Sequence, residues 1–153
     1  MSRAFVREDD QGGQDLPERA ISEHPNLVTA NGLAQLDERV HGLQAQLQAA
    51  RAADDKDLVA RTLRDLHYFQ ARRGSARLVQ PAAPPDAVRF GVIVTLGFAD
   101  GSRRDLQLVG EDEADPAAGR ISWVSPLAQS LLGATPGDSL PVAGQDAQVL
   151  SLA

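Results

Sequence analysis

The sequence predicts an α+β protein in two parts, an antiparallel helical hairpin joined through a short linker to a small sheet domain. Three observations carry that expectation. Apolar residues recur at spacings of three and four over two successive segments, a proline-rich stretch then interrupts them, and the remainder alternates β-branched runs with Gly- and Asp-containing turns.

Residues 1–28 mix charges of both signs with Gly12, Gly13, Pro17 and Pro25 and show no sustained periodicity, the pattern of a flexible N-terminal arm. From Thr29 the pattern changes. Leu33, Leu36, Val40, Leu43, Leu47 and Ala50 follow the a/d rhythm of a coiled coil, so the first helix presents a narrow apolar seam. Thr29 is suited to cap its start, whereas Asn31 and Gly32 are poor helix formers near the first turn. Two short acids in Ala52-Ala53-Asp54-Asp55 favour a turn and the cap of a following helix. That second helix is expected from about Asp57 to Leu78, with Val59, Leu63, Leu66, Phe69, Arg73 and Ala76 near one face. So short a connection forces an antiparallel coiled-coil finger over residues 29–79, with Asp54, Asp55 and Asp57 at its tip.

Gln80-Pro81-Ala82-Ala83-Pro84-Pro85 cannot continue a helix, because proline lacks the N–H donor and restricts the residue before it; residues 80–87 read as a semi-rigid linker. The domain over 88–153 begins with Val88 to Leu96, rich in β-branched residues. The turn Ala99-Asp100-Gly101-Ser102 and the alternating Asp105-Leu106-Gln107-Leu108 then complete a hairpin. Further strands are expected at Ile121 to Val124 and Gln148 to Leu152. Between them Ser125, Pro126 and Gly133 supply the cap, the first position and the stop of one short helix.

Composition narrows the function classes. Fifteen Lys and Arg against 21 Asp and Glu give a formal charge of −6, which argues against autonomous binding to bare nucleic acid and for a protein partner. Aromatic residues make up 4% of the chain, too few to wall a large apolar ligand pocket. With no Cys there is no disulfide framework, thiolate nucleophile or Cys-ligated metal, and His24, His41 and His67 lack ligand spacing. The opening residues have no apolar targeting core and no stretch approaches a membrane span, so the expectation is a cytoplasmic monomer without a membrane role. Arg61, Arg64, Arg72, Arg73 and Arg77 nevertheless give the second helix a basic character.

One ordered set of residues resembles a known family. Val109-Gly110-Glu111-Asp112-Glu113-Ala114-Asp115 is followed by Gly119-Arg120-Ile121-Ser122. Ser125-Pro126-Leu127-Ala128, Leu131, Gly133 and Gly137-Asp138 come next. Together they resemble the C-terminal domain of the GreA/GreB transcription elongation factors, and Asn26-Leu27-Val28-Thr29 with Gly32-Leu33 and Leu36 resembles the start of that family's helical hairpin. The resemblance implies a finger that enters the secondary channel of RNA polymerase and an FKBP-like α+β domain that anchors it at the channel rim. It makes the acidic loop with Asp112 and Asp115, and the helix start at Ser125 and Pro126, the polymerase-binding surface. An FKBP-like fold also raises prolyl isomerase activity, which the scarcity of aromatic residues opposes.

In the family, tip carboxylates help hold a Mg²⁺ in the polymerase active site, so that the polymerase cleaves its own backtracked transcript; the factor is not itself an enzyme and has no cofactor of its own. A hard dication takes oxygen ligands, and Asp54 and Asp57 reproduce the family's three-residue spacing of acids, with Asp55 a third candidate. Taking Tyr68 and Ala71-Arg72 as the register mark instead puts Arg61 and Arg64 at the acidic positions, and guanidinium cannot ligate Mg²⁺. The finger is also short, its second helix meeting the linker about a dozen residues after Tyr68. Two functions stay open: a factor that stimulates transcript cleavage, or a short-fingered channel-binding regulator or inhibitor that does not. Either meets nucleic acid only within the transcription complex.

Overall fold

The computed structural model describes residues 16–153, so the expectation of a flexible arm over 1–28 lies in part outside the described residues. The chain divides into two compact units, one made of Leu36–Gly74 with residues 16–21, the other of Ser22–Gln35 with Ser75–Ala153.

The first unit is the helical hairpin. Helix α1 spans Ala30–Ala52 and helix α2 spans Lys56–Ser75. Leu43, Leu47 and Leu66 are buried together, with Val40, Val59, Leu63 and Phe69 packed around them, so the seam read from the a/d spacing is the seam that closes. Each such buried Leu contributes on the order of 2 kcal/mol. Three residues reverse the chain. Asp54 sits at φ +51, in the left-handed region that ends a helix, and the Asp55 N–H donates to the Ala50 carbonyl at 3.0 Å. The described part of the arm is tied down: Arg19 pairs with Asp65 at 3.0 Å and lies 3.9 Å from the centre of the Tyr68 ring, while Arg64 Nε donates to the Pro17 carbonyl at 2.8 Å.

Helix α2 stops at Ser75 instead of Leu78 because the chain is taken up by a parallel pair. Strand β1, Leu27–Val28, pairs with β2, Arg77–Leu78. The Arg77 N–H donates to the Asn26 carbonyl at 2.8 Å, and the Val79 N–H to that of Val28 at 3.0 Å. These four residues and the root of α1 belong to the second unit.

The second unit is built on a mixed five-stranded sheet in the order β5-β4-β3-β7-β6. Strands β3, Ile93–Phe98, and β4, Arg103–Val109, form the expected hairpin; β7, Gln145–Leu152, lies antiparallel on the other side of β3, and β6, Ser139–Val142, closes that edge. Strand β5, Arg120–Ser122, runs parallel to β4. Helix α3, Pro126–Leu131, lays Ala128 and Leu131 onto a core of Val94, Leu96, Leu106, Leu108, Ile121 and Val149. Residues 88–92 are not strand as expected. Gly91 takes φ +85, and Val88, fully buried, pairs its backbone with the loop after α3 through Ala134 and Gly133. The β-branched run signalled burial, and burial was met by a loop.

Candidate functional site

The tip of the hairpin is acidic and open. Asp54, Asp55, Lys56 and Asp57 are all exposed. Asp55 caps α2, its carboxylate accepting the Leu58 N–H at 3.1 Å, the role expected of a short acid before a helix. Asp57 falls in the first turn of α2, where the helix dipole favours a negative charge. Among the described residues the carboxylates of Asp54 and Asp57 show neither an ion pair nor a capping bond. Among the described residues no group of three or more His, Cys, Asp or Glu side chains is placed to hold a metal ion. Of the alternative register positions, Arg61 is exposed and Arg64 is engaged with Pro17.

In the second unit the parallel pairing of β4 with β5 organises the other candidates. Val109 is the partner of Ser122, and the Trp123 N–H donates to the Val109 carbonyl at 2.9 Å. The acidic loop after β4 and the approach to α3 therefore leave the sheet at the same end. Ser125 caps α3 by accepting the Ala128 N–H at 3.2 Å, with Pro126 at the first turn. The Trp123 carbonyl accepts from Gln129 Nε2 at 2.6 Å, and the Trp123 ring meets His24 edge-on at 6.1 Å between centroids. Asp115 lies elsewhere. The loop returns to the start of β5, where Asp115 and Arg120 exchange backbone hydrogen bonds of 2.8 and 3.0 Å and their side chains pair at 3.6 Å. The start of the acidic loop at Val109 and the Ser125 turn thus lie at one end of β5, and Asp115 at the other.

Glu113 is the residue that sequence reading missed. Within an acidic run taken as solvated, it is 6% exposed and binds the first turn of α1. Its Oε2 accepts the Thr29 hydroxyl at 2.6 Å and its Oε1 the Asn31 side-chain amide at 2.9 Å. The signal that could have found it is Gly32, an otherwise unfavourable residue one turn into a helix: a Cβ there would lie 2.6 Å from Glu113 Oε2. A groove of about 390 Å³ on the sheet is lined by Phe98, Arg103, Ser139, Asp146 and Leu150 among others. Phe98 is the single aromatic residue in its lining, which does not make the aromatic box an isomerase pocket needs.

Residues 83–150 match the family described as transcription elongation factor, GreA/GreB, C-term. The chain is 30% identical over 149 residues to transcription elongation factor GreA of Paracoccus denitrificans, covering 94% of this chain and 91% of that protein. It is 35% identical over 95 residues to transcription elongation factor GreB of Neisseria meningitidis, covering 58% of each. The crystal structure of GreA factor homolog 1 of Thermus thermophilus aligns at 18% identity with a TM-score of 0.42, covering 85% of this chain and 99% of that one. The chain belongs to the GreA/GreB family of transcription elongation factors.

Proposed function

We propose that this protein binds RNA polymerase, places its hairpin in the secondary channel, and stimulates the polymerase's cleavage of its own backtracked transcript. The observation that carries the reading is the tip. A hairpin whose turn exposes three carboxylates, with Asp54 and Asp57 unengaged, presents oxygen donors to a cation site completed by a partner. There Asp54 and Asp57 would hold a Mg²⁺, with Asp55 adding a further oxygen, and the ion would supply an activated water for phosphodiester hydrolysis. Docking falls to Asp112, Asp115, Ser125 and Pro126, with Asp115 partly neutralised by Arg120.

The test is transcript cleavage in stalled cognate elongation complexes with and without the protein. Replacing Asp54 and Asp57 by Asn keeps volume and removes the anionic charge. Binding should survive while stimulation falls by about 100-fold, the scale of losing groups that act on the transition state. A variant that stimulates as well as wild type would take the tip acids out of the site.

A second reading, a channel-binding regulator without cleavage activity, is favoured by the length of the hairpin. Helices of 23 and 20 residues span about 35 and 30 Å at ~1.5 Å per residue. Competition with a longer-fingered relative, with no stimulation by wild type, would decide for it.

A further inference from the structure

Glu113 does more than an acidic loop residue needs to do. Its buried carboxylate accepts from Thr29 at 2.6 Å and Asn31 at 2.9 Å, and the Thr29 hydroxyl oxygen in turn accepts the Gly32 N–H at 3.0 Å. Carboxylate, hydroxyl and amide form one chain that ends on the first turn of α1, where the helix dipole favours negative charge. Thr29 alone would cap the helix. Burying a carboxylate is costly unless it is fully paired, and the site pairs it while Gly32 leaves it room. What Glu113 adds to capping is a fixed bond between the loop after β4 and the root of a helix that runs unbroken from Ala30 to Ala52.

We infer that Glu113 is a positioning residue, a clamp on the root of α1 that brings the tip carboxylates to one place when the protein is docked; the inference rests on the polymerase-binding reading above. The helix is a lever. Over about 35 Å, a tilt of ~10° at the root moves the far end by about 6 Å. A misplacement near 1 Å already costs about 100-fold in reactions that depend on alignment.

The chain contains no cysteine, so Lys56→Cys supplies a unique thiol beside the tip for a photo-crosslinker. The full chain is bound to its cognate RNA polymerase and crosslinks are mapped with Glu113 intact and in Glu113→Ala. With Glu113 present they should concentrate at one polymerase site. In Glu113→Ala, at equal occupancy, yield at that site should fall by about tenfold and spread to others, while affinity stays within about twofold. Amide exchange at residues 30–35 should accelerate, and maximal cleavage stimulation should fall without a change in the half-saturating concentration. If Glu113→Ala does not fold, Thr29→Val cuts the same chain at the hydroxyl and carries the same expectation. An unchanged crosslink pattern overturns the clamp alone, and a parallel loss of affinity overturns it in favour of docking. Failure of the Glu113-intact protein to bind polymerase sinks the underlying reading and the clamp with it.

Discussion

The same substitution at two positions of α1 should change stability in opposite directions. Gly42 is exposed and a Cβ there would meet nothing within 4 Å. Gly42→Ala therefore gains the ordinary helix preference of alanine, about 0.8 kcal/mol. Gly32 lies in the same helix but is buried, and a Cβ would lie 2.6 Å from Glu113 Oε2 and 3.2 Å from its carboxyl carbon. The carboxylate is the far end of a side chain and could move, but moving it breaks the bonds to Thr29 and Asn31. A hydrogen bond to a charged group is worth about 1.5–3 kcal/mol. Losing one and straining the other outweighs the propensity gain, and Gly32→Ala should be destabilising by about 1–2 kcal/mol. Urea unfolding of the full chain followed by circular dichroism reads both values. In a Glu113→Ala background the same Gly32→Ala change should cost less than it does in the wild type, since the clash partner is gone. If Gly32→Ala stabilises the protein as Gly42→Ala does, the carboxylate is not held where the structure places it, and the clamp argument fails.

Further outcomes follow from single sites. Thr62 is 1% exposed and its hydroxyl has no hydrogen-bond partner among the described residues, so Thr62→Val, which keeps the shape, should raise stability by about 1 kcal/mol in the same assay; a loss would mean that the hydroxyl is satisfied. Asp54 at φ +51 pays for a left-handed conformation, so Asp54→Gly should be stabilising by about 0.5 kcal/mol while removing a tip donor. Such a variant that folds better and stimulates cleavage less would separate the two demands on that residue. The Asp100 carboxyl is held below its usual range, chiefly by the Ser102 hydroxyl bond and then by the Ser102 N–H. A depressed carboxylate helps the fold above its unfolded pKa and loses that help as pH falls through the folded one. Ser102→Ala should therefore move the Asp100 titration, followed by NMR, upward towards the ordinary carboxylate value, and an unmoved titration would contradict the bond.

The hairpin was legible because its signal is periodic. Leu43, Leu47 and Leu66 meet where a 3.5-residue repeat puts them, and Ser125, Pro126 and Gly133 bracket α3 as local chemistry requires. Strand β6 and the parallel β1–β2 pair were not read. The first carries Pro141 at a sheet edge, and the second is two residues long on each side, held by partners some 50 positions away in sequence. At Val88 the apolar run gave burial correctly and conformation wrongly, since a buried loop and a buried strand make the same demand on composition.

The acidic loop shows why charge runs resist reading as a unit. A run of acids in sequence records composition, whereas the role of each is set by the strand geometry around it. Asp115 meets Arg120 because the loop must return to the start of β5. Glu113, two residues earlier, is buried against Thr29 and Asn31. Asp112 is half-buried in the same loop. Equal formal charges thus act as an ion-pair partner, an internal clamp and a docking candidate. Reversing charge at Asp112 and Asp115 addresses the surface and should weaken polymerase affinity through a mismatch with a basic rim. The same change at Glu113 would place a cation against the positive end of α1 and break the root of the hairpin. Loss of function from a block replacement of 111–115 therefore carries no information about docking, and the single-residue variants must be compared at matched folded fraction.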